Sequence, residues 1–235
     1  MNIVTVVNSH YMPFAEIFFN SLTRLTDYRK IKRVFVVDTG LDQKNIQRLT
    51  ELCNKVTICE TKTTVKEARM HSSEWREVVS KKIDSVIKLT KLMEGVLPLC
   101  VIDVDSYFNN NFIHKIDMSM DMSVCKRDEP VINQDNYVLT HIGSFFSLNN
   151  HSARNFLKKW RDEMSLIEGG HVETPALCNL LHEARNPSSK IQHIDQQIIS
   201  ATKFNDDCCI FHLKSDGPGI GSTIDYRINK LKQYV

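Results

Sequence analysis

No stretch of this chain approaches the roughly 18 uninterrupted apolar residues of a membrane span. The sequence therefore predicts at most peripheral membrane contact. The opening Met1-Asn2-Ile3-Val4-Thr5-Val6-Val7-Asn8 lacks the basic segment and the apolar length of a signal peptide, so it reads as the first strand of a sheet and the expected location is cytoplasmic. None of the seven cysteines forms a C-x-x-C pair, which excludes the common redox and zinc motifs. Seven is also odd, and a reducing compartment is the simpler setting. Low-complexity tracts are missing too, so the chain has no disordered character. A large excess of either charge is absent as well: a net charge of +2 is too mild for a nucleic-acid binder. The short basic clusters Lys30-Ile31-Lys32-Arg33, Lys81-Lys82 and Lys158-Lys159-Trp160-Arg161 read as solvated faces.

What is present is an ordinary globular composition, 42% hydrophobic and 25% charged, over 235 residues. That length suits one domain, 1–235, better than two. Short β-branched runs alternate with amphipathic segments through the first hundred residues, the pattern of an α/β fold with a parallel sheet covered by helices. Strands are expected at Ile3–Val7, Arg33–Val37, Val56–Cys59 and Leu97–Val104, with helices over Pro13–Leu25, from Asp42 to about Leu52, and from Glu74 to about Glu94. Beyond residue 105 the pattern predicts a mixed sheet. Its strands are Met122–Cys125, Tyr137–Leu148 and Cys208–Leu213, and its helices run from Ser152 to Met164, from Pro175 to Ala184 and onward from Asp195.

The run Leu99-Cys100-Val101-Ile102-Asp103-Val104-Asp105 places two carboxylates two positions apart where a buried strand meets solvent. Strand side chains alternate faces, so Asp103 and Asp105 can point the same way. Paired like charges need an offsetting cation or hydrogen bonds, and hard oxygen ligands of this kind suit Mg²⁺ or Mn²⁺ bridging to phosphates. In a chain with sixteen Asp, one Asp-x-Asp arises easily by chance, so its surroundings decide.

Those surroundings resemble the GT-A glycosyltransferases of the glycogenin and bacterial lipopolysaccharide glycosyltransferase group. The resemblance runs in order through Val6-Val7-Asn8-Ser9-His10-Tyr11, Ile87-Lys88-Leu89, the acidic motif, Ile142-Gly143-Ser144, Ile194-Asp195-Gln196-Gln197 and Phe211-His212-Leu213-Lys214. It implies a GT-A fold, a Rossmann-like nucleotide-diphospho-sugar transferase with a mixed central sheet flanked by helices. By the same resemblance Asn8 and Tyr11 hold the nucleobase, Val7 is among the substrate-binding residues, and Asp103, Asp105 and His212 bind the metal. Val104 lies within the donor-binding motif. Lys88, fifteen positions before Asp103, contacts phosphate or sugar, and Lys214 and Gly217 meet the diphosphate. Gly143 lets the backbone approach the donor sugar, although the Asn that the family places beside this glycine is missing here. Asp195 and Gln196 match the later Asp-Gln motif and face the sugar near the reacting carbon, with Asp195 equally able to cap a helix. Neutral imidazole at His212 favours Mn²⁺ over Mg²⁺.

The expected activity is metal-dependent transfer of a hexose from a nucleotide-diphosphate donor, UDP-linked by resemblance, to a hydroxyl acceptor with retention. Lys88 and Asp195 are then the catalytic candidates. The acceptor stays open among a glycan, a lipid-linked glycan, a protein and a modified nucleobase, as does the oligomeric state. A nucleotidyltransferase of the same fold would carry a glycine-rich turn after the first strand, and Asn8–Phe14 contains no glycine. An inactive nucleotide-sugar-binding module is the other alternative. Read from the residue alone, Asp105→Asn should weaken metal-dependent donor binding with little loss of stability.

Overall fold

The computed structural model describes residues 1–61, 73–93, 95–169, 171–182, 189–203, 205–214 and 223–233. Three β-branched runs form the parallel strands β1 (Asn2–Val7), β2 (Val34–Asp38) and β3 (Val56–Glu60). Helix α1 (Met12–Arg24) follows β1 with Pro13 in its first turn, where no N–H is needed. The Asp42 side chain accepts from the Asn45 N–H at 2.7 Å and starts α2 (Gln43–Leu52). Helix α3 spans Ser73–Leu92 and leads to β4 (Leu99–Ile102), a strand buried along its whole length.

The main sheet has seven strands in the order β3-β2-β1-β4-β7-β6-β8, completed by β6 (Met122–Ile132), β7 (Val138–Leu148) and β8 (Ile191–Asp195). Strands β1 to β4 are parallel, β7 runs antiparallel to both β4 and β6, and β6 pairs parallel with β8. The strand order therefore reverses at the β1/β4 boundary. The crevice outside the carboxyl ends of such strands is where doubly wound folds hold ligands. A second sheet of β5 (Ser106–Phe108), β10 (Ile210–His212) and β9 (Ile199–Ala201) lies beyond it.

One core packs Phe14, Phe18, Phe19 and Leu22 of α1 against Ile3, Val36 and Phe108. The other packs Ile83 and Val86 of α3, with Phe156, Leu157 and Trp160 of α4 (Ala153–Leu166) and Leu177 of α5 (Glu173–His182), against Val4, Val101 and Phe146. Each fully buried side chain of this size contributes about 1.5–3 kcal/mol. The C-terminal helix α6 (Ile224–Leu231) is capped by Thr223 and anchors Leu231 in the first core.

Three expectations are corrected. Strand β6 continues past Cys125 to Ile132 as an exposed hairpin with β7, interrupted by a register shift between Lys126 and Val131. Its Lys126-Arg127-Asp128-Glu129-Pro130 segment carries no apolar alternation because all but the half-buried Arg127 are exposed, and Pro130 falls where the ladder is irregular. Asp195 does not open a helix: it ends β8, paired with Lys126, and its carbonyl accepts from the Ile198 N–H at 3.1 Å in a turn to β9. Pairing of Ile191–Asp195 along β6 overrides the capping tendency of Asp. Lys82 is not part of a solvated face; it is buried.

Candidate active site

The acidic motif is clamped from two sides. Beyond β4, the Asp103 N–H donates to the Ser144 carbonyl of β7 at 2.9 Å, and the Asp105 carbonyl accepts from the Leu213 N–H at 2.8 Å. The next residues form β5, which pairs antiparallel with β10 so that Ser106 stands opposite His212. That register carries a histidine from the far end of the chain to the acidic pair: His212 Nε2 lies 3.3 Å from Asp105 Oδ1.

One ligand atom each from Asp103, Asp105 and His212 falls within 4.8 Å of the others. Carboxylate oxygens with an imidazole nitrogen match Mn²⁺ or Mg²⁺ chemistry. Among the described residues the Nδ1 of His212 is buried without a hydrogen-bond partner, while its Nε2 faces Asp105. The residues present thus fit a divalent cation.

Two basic side chains already meet the pair. Lys82 Nζ lies 2.8 Å from Asp103 Oδ1 and 2.5 Å from Glu173 Oε1. Arg227, buried on α6, pairs with Asp105 Oδ2, donates its Nε to the Leu213 carbonyl and stacks 4.4 Å from the Phe14 ring centre. Burial alone would raise the Asp105 carboxyl, but His212 and Arg227 outweigh it and hold it well below the usual carboxylate range. Burial likewise opposes the charge on Lys82, yet Asp103 and Glu173 overcome it and keep the ammonium protonated far above neutral pH. Glu173 is pushed up to about 7 by burial, with Lys82 acting against that shift.

These groups line a cavity of about 420 Å³ with Asn8, Tyr11, Val104, Gly143 and Lys214. Asn8 Oδ1 accepts from the Tyr11 N–H at 3.0 Å, which turns the chain after β1 and brings Tyr11 over the cavity. A second cavity of about 240 Å³ adjoins it and shares Arg127, His212, Lys214 and Arg227, with Gln196 on its wall. A cationic pocket therefore stands beside the acidic pair, and burial together with the nearby Arg127 lowers the Lys214 ammonium within it.

Several expected residues are placed differently. Val7 is buried in the core and does not line the cavity. Asp195 is exposed at the end of β8 and lines neither cavity. Lys88 is exposed on α3 and also lines neither. It sits six residues, or about 600° of helical turn, from Lys82, and Lys82 is the lysine that reaches the acidic pair. Gly217 and the glycine-rich stretch 217–221 lie outside the described residues.

The sequence reading missed Lys82, Glu173, Arg127 and Arg227. A signal for Lys82 was present. Val79, Ile83 and Val86 mark the buried face of α3 at i, i+4 and i+7, and Lys82 falls on that stripe. For Glu173 and Arg227 no local signal exists, because an acid in a first helical turn and a base on a late helix are ordinary surface features.

A cleft at the carboxyl ends of a switch-point sheet thus brings together an acidic pair and a histidine that fit a divalent cation and a cationic pocket that fits an anionic ligand. The sequence profile of the nucleotide-diphospho-sugar transferase family matches residues 30–217, and the chain belongs to that family. The glycosyltransferase expectation stands with it, as does the GT-A fold. No protein of curated function matches the chain. Among solved structures, the galactosyltransferase LgtC with donor and acceptor sugar analogues is similar at 12% identity and TM-score 0.58, covering 93% of this chain and 88% of that one. GlyE, a glycosyltransferase of Streptococcus pneumoniae, is 11% identical with TM-score 0.57, covering 92% of this chain and 54% of that one. A glycosyltransferase involved in glycosylation of the major capsid of PBCV-1 is 10% identical with TM-score 0.56, covering 98% of each chain. At these identities the likeness is one of fold.

Proposed function

We propose that this protein is a metal-dependent glycosyltransferase that moves a hexose from a UDP-sugar to a hydroxyl acceptor, with retention. The observation that carries the reading is the convergence of Asp103, Asp105 and His212 on one wall of a cavity that Asn8 and Tyr11 also line. Tyr11 offers a ring face to the base and Asn8 an amide to its edge. Lys214 and Arg127 face the diphosphate from the cationic end. A divalent cation bound by the two carboxylates and the imidazole would offset the charge that builds on the leaving diphosphate. The protein's share of the work is to hold the acceptor oxygen close to the anomeric carbon and to surround the departing group with fixed positive charge.

The test is incubation with UDP-glucose, UDP-galactose and GDP-mannose in Mn²⁺ or Mg²⁺, with released nucleoside diphosphate as the readout. Release from a UDP-sugar that stops on chelation supports the reading. Nucleotide binding without release from any donor would favour the inactive binding module.

A further inference from the structure

The second cavity shares His212 with the first but none of the nucleobase wall, since Asn8 and Tyr11 line only the first. At about 240 Å³ it falls below the roughly 300–1,000 Å³ of a pocket for a whole drug-sized ligand, so it suits one small group rather than a sugar chain. Its polar wall is one-sided. Arg127, Lys214, Arg227 and Lys230 supply the charges, Gln196 and Thr202 add an amide and a hydroxyl, and among the described residues no acidic side chain lines it. The acids of the neighbouring site do not offset all of this charge. Lys82 and Arg227 meet Asp103 and Asp105 one for one, and a divalent cation would balance the diphosphate of a donor. Against the one remaining acid, Glu173, stand both Arg127 and Lys214, which border the two cavities, so at least one positive charge is in excess. Arg127 is half-buried, its Nε donates to the His141 carbonyl at 3.2 Å, and among the described residues no carboxylate pairs with it. A partly desolvated guanidinium without an anion is costly, and its planar fork matches a carboxylate or a phosphate.

We propose that the second cavity is an acceptor subsite and that the acceptor bears an anionic group, a phosphate monoester or a carboxylate, which Arg127 and Lys230 hold so that the acceptor's hydroxyl reaches the donor in the adjoining cavity. The inference rests on the transfer reading above and narrows the acceptor that this reading leaves open. A donor laid from Asn8 and Tyr11 to the acidic pair fills the first cavity, so the hydroxyl must arrive from the side that remains. The second cavity meets that point through Arg127, His212, Lys214 and Arg227, which line both. A neutral sugar of the same shape would leave the Arg127 guanidinium without its partner. Sites built around a polar contact reject ligands that lack it most strongly.

Calorimetric titration of the full chain saturated with UDP and Mn²⁺ tests this, with methyl phosphate, acetate and methyl glucoside as the probes. At least one of the two anions should bind, about tenfold or more tighter than methyl glucoside, and the tighter of the two separates a phosphorylated acceptor from a carboxylated one. Arg127→Gln should weaken that anion about tenfold, the scale of one hydrogen bond to a charged group. Lys230→Gln, at a side chain that lines only the second cavity, should weaken it in the same direction while UDP affinity stays within about twofold. Anion binding that appears only without UDP and is displaced by it overturns the proposal, because the cations then serve the donor's diphosphate alone. So does a loaded chain that binds neither anion, equal affinity for methyl glucoside, or anion affinity unchanged in both variants. A wild type that fails to bind UDP in Mn²⁺ overturns the nucleotide-sugar reading itself, and this inference falls with it.

Discussion

Asp103 and Asp105 stand two residues apart in one motif, yet they occupy different kinds of place. The Asp103 side chain keeps 31% of its surface exposed to the cavity and shares a lysine with Glu173, whereas Asp105 keeps 15% and is held between His212 and Arg227. Asp105 thereby ties together β5, β10 and α6. Asp103 ties α3 to α5 through Lys82. The comparison teaches that a motif read as one functional unit can divide its duties: one acid mainly organises the chain around the site, and the other stays open to a ligand.

The largest effect expected is from Asp105→Asn, and it revises the expectation from sequence. Removing this charge leaves Arg227 buried beside a neutral amide, and breaking a buried pair from one side costs about 3 kcal/mol or more. Thermal or denaturant unfolding should show this loss together with failure of Mn²⁺-dependent donor binding. A variant as stable as the wild type would erase the contrast between the two acids.

The two sides should also respond to pH with opposite sign. Glu173, raised to about 7 by burial, contributes stability that is fully present below the unfolded value of about 4.5 and is lost as pH rises through about 7. Asp105, held low, contributes stability above the ordinary carboxylate range and loses it only in acid. Relative to Glu173→Gln, the wild type should therefore lose on the order of 2 kcal/mol of stability between about pH 4.5 and 8. Parallel pH profiles for the two proteins would refute the sign given to the Asp103 side.

Asp103→Asn should cost less stability, about 1 kcal/mol, because Lys82 retains Glu173 and the amide that replaces the carboxylate still accepts a hydrogen bond. Donor binding in Mn²⁺ should nevertheless fall as it does in Asp105→Asn. Loss of stability equal to that of Asp105→Asn would put both acids in the same class.

The smallest effect belongs to Lys88→Ala. An exposed helix lysine outside the cavity should change stability by no more than about 0.5 kcal/mol and leave donor affinity unchanged. A tenfold loss of donor affinity in this variant would return Lys88 to the site and displace Lys82 from its role.

Much of this architecture was legible from residue patterns because its determinants are local. β-Branched runs at β1, β2 and β3, the Asp42 cap of α2 and the apolar run before Asp103 each act over a few neighbouring residues. The order of short motifs was enough to anticipate the fold and to bring Asn8, Tyr11, the acidic pair, Gly143, His212 and Lys214 to one cavity. Asp195 and Lys88 went astray for a common reason: motif spacing along the chain says nothing about which way a turn or a helix face finally points.

By itself, then, the sequence determined the parallel strands β1 to β4 and the acidic pair at their carboxyl edge, since period, propensity and buried apolar runs are properties of consecutive residues. Only the tertiary structure decided the partners of the two acids. Lys82 reaches Asp103 because the apolar stripe of α3 turns it inward, Glu173 reaches Lys82 because Gly143 leaves it room, and Arg227 reaches Asp105 because α6 docks Leu231 into the core. Each of these contacts spans a long separation in the chain. The packing that enforces them exists only once both cores have formed.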